Sequence, residues 1–260
     1  MKTAPMLLTK TLHQIRCLAP GPMSAADNMA LDDLLLDEPG WFMRLTRWDS
    51  PAVTIGRFQS WPELVGQDDC GLPPLHTFDT PATNADSLST VRRITGGGAI
   101  VHGQDLTIAI AGDCPSGVFP QRRPVEVARR ISSILAGLFD RPASCRSGNS
   151  NERSMKVIAD CFQRQSASDV VVSGPDGLIK AGGIALAFRN GRVLIEASLR
   201  RDLLDADPAD DLQRLTRLAT ALGLEPQPWQ KDHAVRQGSW SREIADRVRE
   251  RFGNPQWNRR

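Results

Sequence analysis

The chain has 260 residues, enough for one large domain or two modest ones and for a core that needs no covalent staples. Its 32 basic and 30 acidic residues leave a net charge of +2, which is no electrostatic footprint for nucleic acid. No apolar run approaches the roughly 18 residues of a membrane span, and residues 1–18 scatter Lys2, Lys10, His13 and Arg16 among apolar residues, unlike a secretory leader.

In chain order, Ser24 reads as the N-cap of a helix through Leu36, with Ala26, Met29, Ala30 and Leu34 on one side and Asp32 and Asp33 on the other. Pro39-Gly40 ends it. Arg44 to Trp48 alternates as a half-buried strand does. A turn at Asp49-Ser50-Pro51 and a second strand, Ala52 to Ile55, make this look like a hairpin closed by Gly56. Residues 62–90 are polar and rich in Pro, Asp and Thr, and read as a long loop. Next comes Arg92-Arg93-Ile94-Thr95-Gly96-Gly97-Gly98-Ala99-Ile100-Val101-His102, then a strand pair from Ala99 to Ile110 broken near Gly103-Gln104-Asp105.

Pro124 starts a helix with the face Val127, Ile131, Ile134, Leu135 and Leu138. Residues 141–154 are turn-like, and 156–162 weakly apolar. Asp169 to Ser173 is β in character, Gly174 to Gly177 is a hairpin turn, and Leu178 to Phe188 is a strand. Asn190-Gly191 signals a second hairpin, with Arg192 to Leu199 as the return strand. Helices over 208–222 and 239–252 stop at Gly223 and Gly253. Hairpin-linked strands with helices between and after them predict an α+β fold with a mixed, largely antiparallel sheet. With no sharp break in composition, 1–260 reads as a single domain with 200–260 as its helical C-terminal tail.

The triple glycine removes every Cβ from a short turn, and Arg92 and Arg93 stand just before it. On these residues alone the turn is either a tight hairpin with solvated arginines or a cradle for a carboxylate or phosphate. Five cysteines, scattered and without a CxxC pair, argue against disulfides and zinc and for a reducing cytoplasm. A buried Cys161 would be inert, whereas one beside a cation would be a nucleophile. Lys180 is unexpected within an apolar, glycine-containing strand, and it either snorkels to water or sits in a site. If it meets Cys161, its ammonium depresses the thiol pKa and can return a proton or steady an acyl oxyanion. His102 is an alternative base. Asp105 or Glu196 could orient a base, but neither belongs to a cluster with metal-ligand spacing.

Taken together, Arg92-Arg93-x-Thr95-Gly96-Gly97-Gly98-Ala99-x-x-His102 resembles the RRxTGGGAxxH signature of lipoate–protein ligases and octanoyltransferases. Asn28-x-Ala30-Leu31-Asp32, the stretch from Trp48 through Gly56 to Gln59, and Asp105-Leu106-Thr107 agree with it. Lys180-x-x-Gly183-x-Ala185 resembles the family's KxxGSA, and Cys161-Phe162 falls where the cysteine-using branch has its nucleophile. Ile184, Leu186 and Glu196-Ala197 depart from the family's serine, glutamine and His-Gly.

The resemblance implies a biotin/lipoate-ligase catalytic domain, with a smaller second sheet and flanking helices. It implies an acyl pocket walled by Arg92 to Ala99, His102, Gly56, Gly183 and Ala185, with Lys180 on the acyl carbonyl. The expected activity moves an octanoyl or lipoyl group, the octanoyl group from acyl carrier protein, through a Cys161 thioester to a lipoyl-domain lysine, with no cofactor. The alternatives are a ligase that activates free lipoate with ATP and Mg, and a non-catalytic acyl-binding relative. Neither nucleic acid nor membrane is expected as a partner.

Overall fold

The computed structural model describes residues 13–61, 75–76, 88–146, 166–175, 177–204, 207–230 and 239–260. Among them, eight strands form a sheet in the order β12-β1-β2-β7-β11-β10-β9-β8. These are β1 (His13–Leu18), β2 (Trp41–Thr46), β7 (Asp105–Asp113), β8 (Ala143–Cys145), β9 (Val170–Gly174), β10 (Gly177–Arg189), β11 (Arg192–Arg200) and β12 (Leu224–Pro226). A smaller sheet has the order β4-β5-β3-β6, with β3 at Ala52–Ile55, β4 at Leu75–His76, β5 at Leu88–Arg92 and β6 at Ile100–His102. From β2 to β8 every neighbouring pair is antiparallel, while β1 runs parallel to both β2 and β12. The fold is α+β with mixed sheets.

Helices cover both faces of the large sheet. On one side lie α2 (Pro124–Ala136) and α4 (Asp211–Ala221). Pro at the first turn presets the backbone of α2, and Val127, Ile131 and Leu135 repeat at helical spacing to fill the core there. On the other side lies α1 (Ala25–Asp37), capped as its sequence predicts by the Ser24 side chain on the Asp27 N–H. The short α3 (Arg201–Leu204), α5 (Ser239–Arg247) and α6 (Pro255–Asn258) complete the α-helices among the described residues, with a 3₁₀ turn over Pro208–Asp210 and a π turn over Val248–Phe252.

α1 corrects the sequence reading. Asp32 and Asp33, on the side opposite the apolar residues and so the natural outer side of a surface helix, are 1% and 3% exposed. The helix is enclosed: α5, the π turn and Trp257 pack against it from outside, and both sheets lie against its inner side.

Two expected hairpins are not hairpins. The turn after β2 carries the chain into the small sheet, where β3 pairs with β5 and β6. The turn at Gly103 (φ +127°) carries it back, so β6 and β7 belong to different sheets. Local alternation shows that a segment is a strand but not which edge it will pair with. The hairpin at Asn190-Gly191 does form, with φ of +50° and +73°, as a primed turn requires. β1, β4, β5, β8, β12, α3 and α6 went unread; β4 and most of β5 fall within the expected 62–90 loop, and β1, β8 and β12 are short and take partners remote in sequence. Most of the expected 62–90 loop, the weakly apolar 156–162 stretch and Cys161 lie outside the described residues.

Candidate active site

The face of the large sheet beneath α1 carries two rows across the strands. One is Thr46, Thr107, Ser198 and Gly183; the next is Arg44, Ala109, Glu196 and Ala185. Residues paired across neighbouring strands share a face. The small residues at Gly183, Ala185 and Ala109 therefore leave room beside the long polar ones. Met29 and Asp32 from α1, with Trp48, Thr54, Ile100 and His102 from above, close this space into a pocket. The void at its centre is about 20 Å³, room for one water, so a longer ligand enters by displacing these side chains.

Lys180 reaches the same face through an irregularity. Ile179 and Ala181 pack toward α2, and so do Ile184, Leu186 and Phe188, so the alternation changes phase between Ala181 and Ile184. The cause is a bulge, where the pairing of β10 with β9 slips between Lys180 and Gly182. Without it, Lys180 and Ala185 would point to opposite faces. The lysine is 5% exposed and does not snorkel; its Nζ lies 3.0 Å from Asp169 Oδ2, and that carboxylate also accepts the Ser166 N–H at 2.5 Å and Oγ–H at 3.0 Å. The same phase change turns two departures from the family motif, Ile184 and Leu186, away from the pocket, while Glu196 stays within it.

The glycine turn forms the roof. Gly97 has φ +89°, and a Cβ on Gly56 would stand 2.0 Å from the Gly97 carbonyl oxygen. Both positions therefore require glycine, one for its backbone angle and the other for close approach. Gly96 N–H reaches the Leu186 carbonyl at 3.4 Å, tying the turn to β10.

The two arginines divide their work. Arg93 Nη2 donates to the Gly96 and Gly98 carbonyls at 2.7 Å each, its Nη1 to Thr54, and its Nε to Thr95, so the guanidinium shapes the turn from the pocket side. Arg92, fully buried, points the other way. It donates to the carbonyls of Gly56, Arg57 and Gln59 and to those of Trp257, Asn258 and Arg260. Burial, with the charges of Arg260 and Arg93, lowers it to about 10. Arg92 thus binds the turn to the chain's last residues, and it does not line the pocket. Ala99 packs with Val53 and Ile55 in a separate small cluster.

His102 lines the pocket, stacked on Trp48 at 4.1 Å between ring centroids. Its Nδ1 is 2.8 Å from Asp105 Oδ2 and its Nε2 2.8 Å from Thr54 Oγ1. Asp105 also accepts from Ser198 and Thr107. Burial alone would raise that carboxyl; the charge and hydrogen bond of His102, with the two hydroxyls, outweigh it and hold Asp105 well below the usual carboxylate range.

The end wall joins Asp32 to Glu196. Thr95 donates a hydrogen bond to Glu196 Oε2, and Arg93 Nε lies 3.8 Å from the same atom. Arg44 Nε is 3.3 Å from Asp32 Oδ1. Burial above all pushes Asp32 up to about 8; Arg44 opposes this, while the charge and hydrogen bond of Glu196 and the charge of Asp33 add to it. Burial likewise lowers Arg44. Among the described residues, no group of three His, Cys, Asp or Glu side chains is placed to hold a metal.

Of the expected site residues, Lys180, Gly183, Ala185, Arg93, Thr95, Gly96 to Gly98, His102 and Gly56 meet at or beside this pocket; Cys161 lies outside the described residues. The reading did not single out Asp169 or Arg44. Asp169 was legible in principle, since a polar residue two before Val171 shares its face, opposite Lys180.

A sequence profile of the lipoyl protein ligase A/B catalytic domain matches residues 24–216. The chain is 31% identical over 224 residues to an octanoyltransferase LipM of Symbiobacterium thermophilum, covering 81% of this chain and 72% of that one. It is 30% identical over 207 residues to the octanoyltransferase LipM of Kyrpidia tusciae, covering 74% and 67%. Among solved structures, a T. acidophilum protein with bound lipoic acid superposes with a TM-score of 0.66 at 16% identity over 96% of this chain and 100% of that one. A lipoate-protein ligase A bound with ATP gives 0.62, also at 16%, over 95% and 99%.

Proposed function

The chain belongs to the lipoyl protein ligase A/B catalytic domain family, and from that premise we propose that it is an octanoyltransferase of protein lipoylation. Its pocket would take a medium acyl chain, acyl carrier protein would be the donor, and a lipoyl-domain lysine the acceptor. The observation that carries this reading is the bulge in β10, which sets a buried lysine on the face that floors the pocket. Lys180 and Ala185 lie five positions apart along the strand, roughly 15 Å at the usual rise, so a chain whose carbonyl sits at Lys180 would extend toward Glu196.

In this reading the Cys161 thiolate attacks the acyl thioester carbonyl. The carrier's thiolate leaves, taking a proton from the Lys180 ammonium, and the acyl group is now on sulfur. The acceptor amine then attacks that thioester, the amide forms, and the released Cys161 thiolate and the proton lost by the amine restore the resting pair. Lys180, held by Asp169, would also donate to the acyl oxyanion. Arg93 and Thr95 to Gly98 would form the roof over the chain, with Gly56 beneath them; Gly183 and Ala185 would keep the floor clear, and Ala99 and Arg92 would support the turn from behind. The transferase chemistry needs no cofactor. Among the described residues no helix is long and apolar enough to cross a membrane, and the free thiols of Cys17, Cys114 and Cys145 suit a reducing cytoplasm.

The test is to incubate the protein with octanoyl carrier protein and weigh it intact. The expected result is one octanoyl adduct on the wild type and none on Cys161→Ala. An adduct that survives Cys161→Ala overturns the thioester. Lipoate-dependent pyrophosphate release with ATP and Mg, tolerant of Cys161→Ser, would assign the ligase reaction instead.

A further inference from the structure

Two oxygens in the pocket wall are buried without a hydrogen-bond donor: Asp32 Oδ1 and Glu196 Oε1. Buried acceptors left unsatisfied are costly, and two facing carboxylates add mutual repulsion. The surrounding cations offset only part of the cost, Arg44 Nε lying 3.3 Å from Asp32 Oδ1 and Arg93 Nε 3.8 Å from Glu196 Oε2 as ion pairs. Arg44 makes its hydrogen bonds to Thr46 and Asn28, and Arg93 makes its own to the glycine turn and Thr54. Yet both carboxyl groups line the same void of about 20 Å³, and two carboxyls in one buried site are least costly when they hold a proton between them.

We propose that Asp32 and Glu196 hold one proton between them and thereby make the distal wall of the pocket selective for an uncharged acyl chain end. The selectivity rests on the acyl-pocket reading given above; the proton pair itself does not. With the proton in place, the pair carries one negative charge, which faces Arg93 from the turn and Arg44 from β2. Asp33 adds a negative charge behind the wall from α1, itself ion-paired with Arg189, Arg247 and Arg251, and His102, held by Asp105, faces the same void from β6. A chain ending in methyl meets a wall whose polar atoms are already bonded to each other. A chain ending in carboxylate would bring another anion against Glu196 with no free donor to receive it. Loss of the shared proton would place two carboxylates side by side and open the wall to water, which an apolar chain end must then displace. Deprotonation therefore weakens binding of the uncharged chain.

The experiment uses octanamide and the monoamide of suberic acid, two probes alike except for the ω-carboxylate. Binding is followed by Trp48 fluorescence, and the carboxyl proton by infrared absorption of the intact protein. The wild type is expected to show a protonated-carboxyl band at pH 7 that is absent from Glu196→Gln and from Asp32→Asn. It is expected to bind octanamide at least about tenfold more tightly than the ω-carboxylate. Octanamide affinity should fall about tenfold between pH 7 and 9.5 in the wild type and stay level in Glu196→Gln, whose amide supplies the missing hydrogen permanently. In the double variant Asp32→Asn, Glu196→Gln, which leaves Arg93 and Arg44 without a facing carboxylate in this wall, the discrimination should vanish or reverse. Octanamide binding without the infrared band overturns the proton pair and leaves the acyl pocket standing. Absence of octanamide binding to the wild type overturns the acyl pocket and with it the selectivity. A double variant that still rejects the ω-carboxylate tenfold overturns the selectivity alone.

Discussion

Replacing Asp32 by Asn tests the buried pair through stability rather than binding. The substitution keeps the size of the side chain and gives it an amide that can donate to Glu196 without a titrating proton. In the folded protein, burial lifts the Asp32 carboxyl from 3.8 to about 8. Its folded-state value therefore lies above the unfolded one, and the sign follows. Between about pH 4 and pH 8 the native state keeps a proton that the unfolded chain has released, so wild-type stability falls as pH rises across that window and levels off above it. One proton corresponds to a slope of about 1.4 kcal/mol per pH unit. Over the whole window the effect is on the order of a few kcal/mol. The assay is urea unfolding of wild type and Asp32→Asn in half-unit steps from pH 5 to pH 9. The stability of the variant relative to wild type should climb with pH and flatten near pH 8. A difference that stays constant across the series would refute a protonated Asp32.

Three other outcomes are expected. Gly56→Ala drives a Cβ into the Gly97 carbonyl, backbone against backbone, and should cost about 3 kcal/mol in urea unfolding while displacing the roof of the pocket; wild-type stability in that variant would show that the turn has slack. Arg92→Lys retains the charge but not the fork that reaches six carbonyls, and should lower stability by at least about 2 kcal/mol, with faster hydrogen exchange at the Trp257 indole, which donates to the Arg92 carbonyl. Asp169→Ala should destabilise by about 3–5 kcal/mol, because it leaves the Lys180 ammonium buried without its carboxylate. The double variant Lys180→Met, Asp169→Ala should recover much of that loss, and equal losses in single and double variants would show that the two do not act as a pair.

The residues that line or build the candidate pocket were largely legible in the sequence, because their requirements are local. A turn that needs φ above zero at Gly97 and a bare backbone at Gly56 can be built only from glycine, so its composition shows in the one-letter text. Ser24 before an apolar run, Pro124 at a first turn and Asn190-Gly191 between two strands are likewise preferences of a few adjacent residues, and each element formed where those preferences place it. What the chain order could not show was decided by partners far away in sequence. Asp32 and Asp33 look like the solvated face of α1 until the second sheet and the C-terminal helices close over them. Arg92 and Arg93 look like twins until β3 and the chain's last residues take one of them to the outside of the turn and leave the other facing the pocket. The position of Lys180 depends on a one-residue slip in pairing, since a bulge reverses which face each later residue of β10 occupies. Sequence therefore determined which side chains were available to the pocket, by local backbone and composition rules. Tertiary structure determined which of them share a wall and, through burial and proximity, which of them are pushed away from their ordinary pKa.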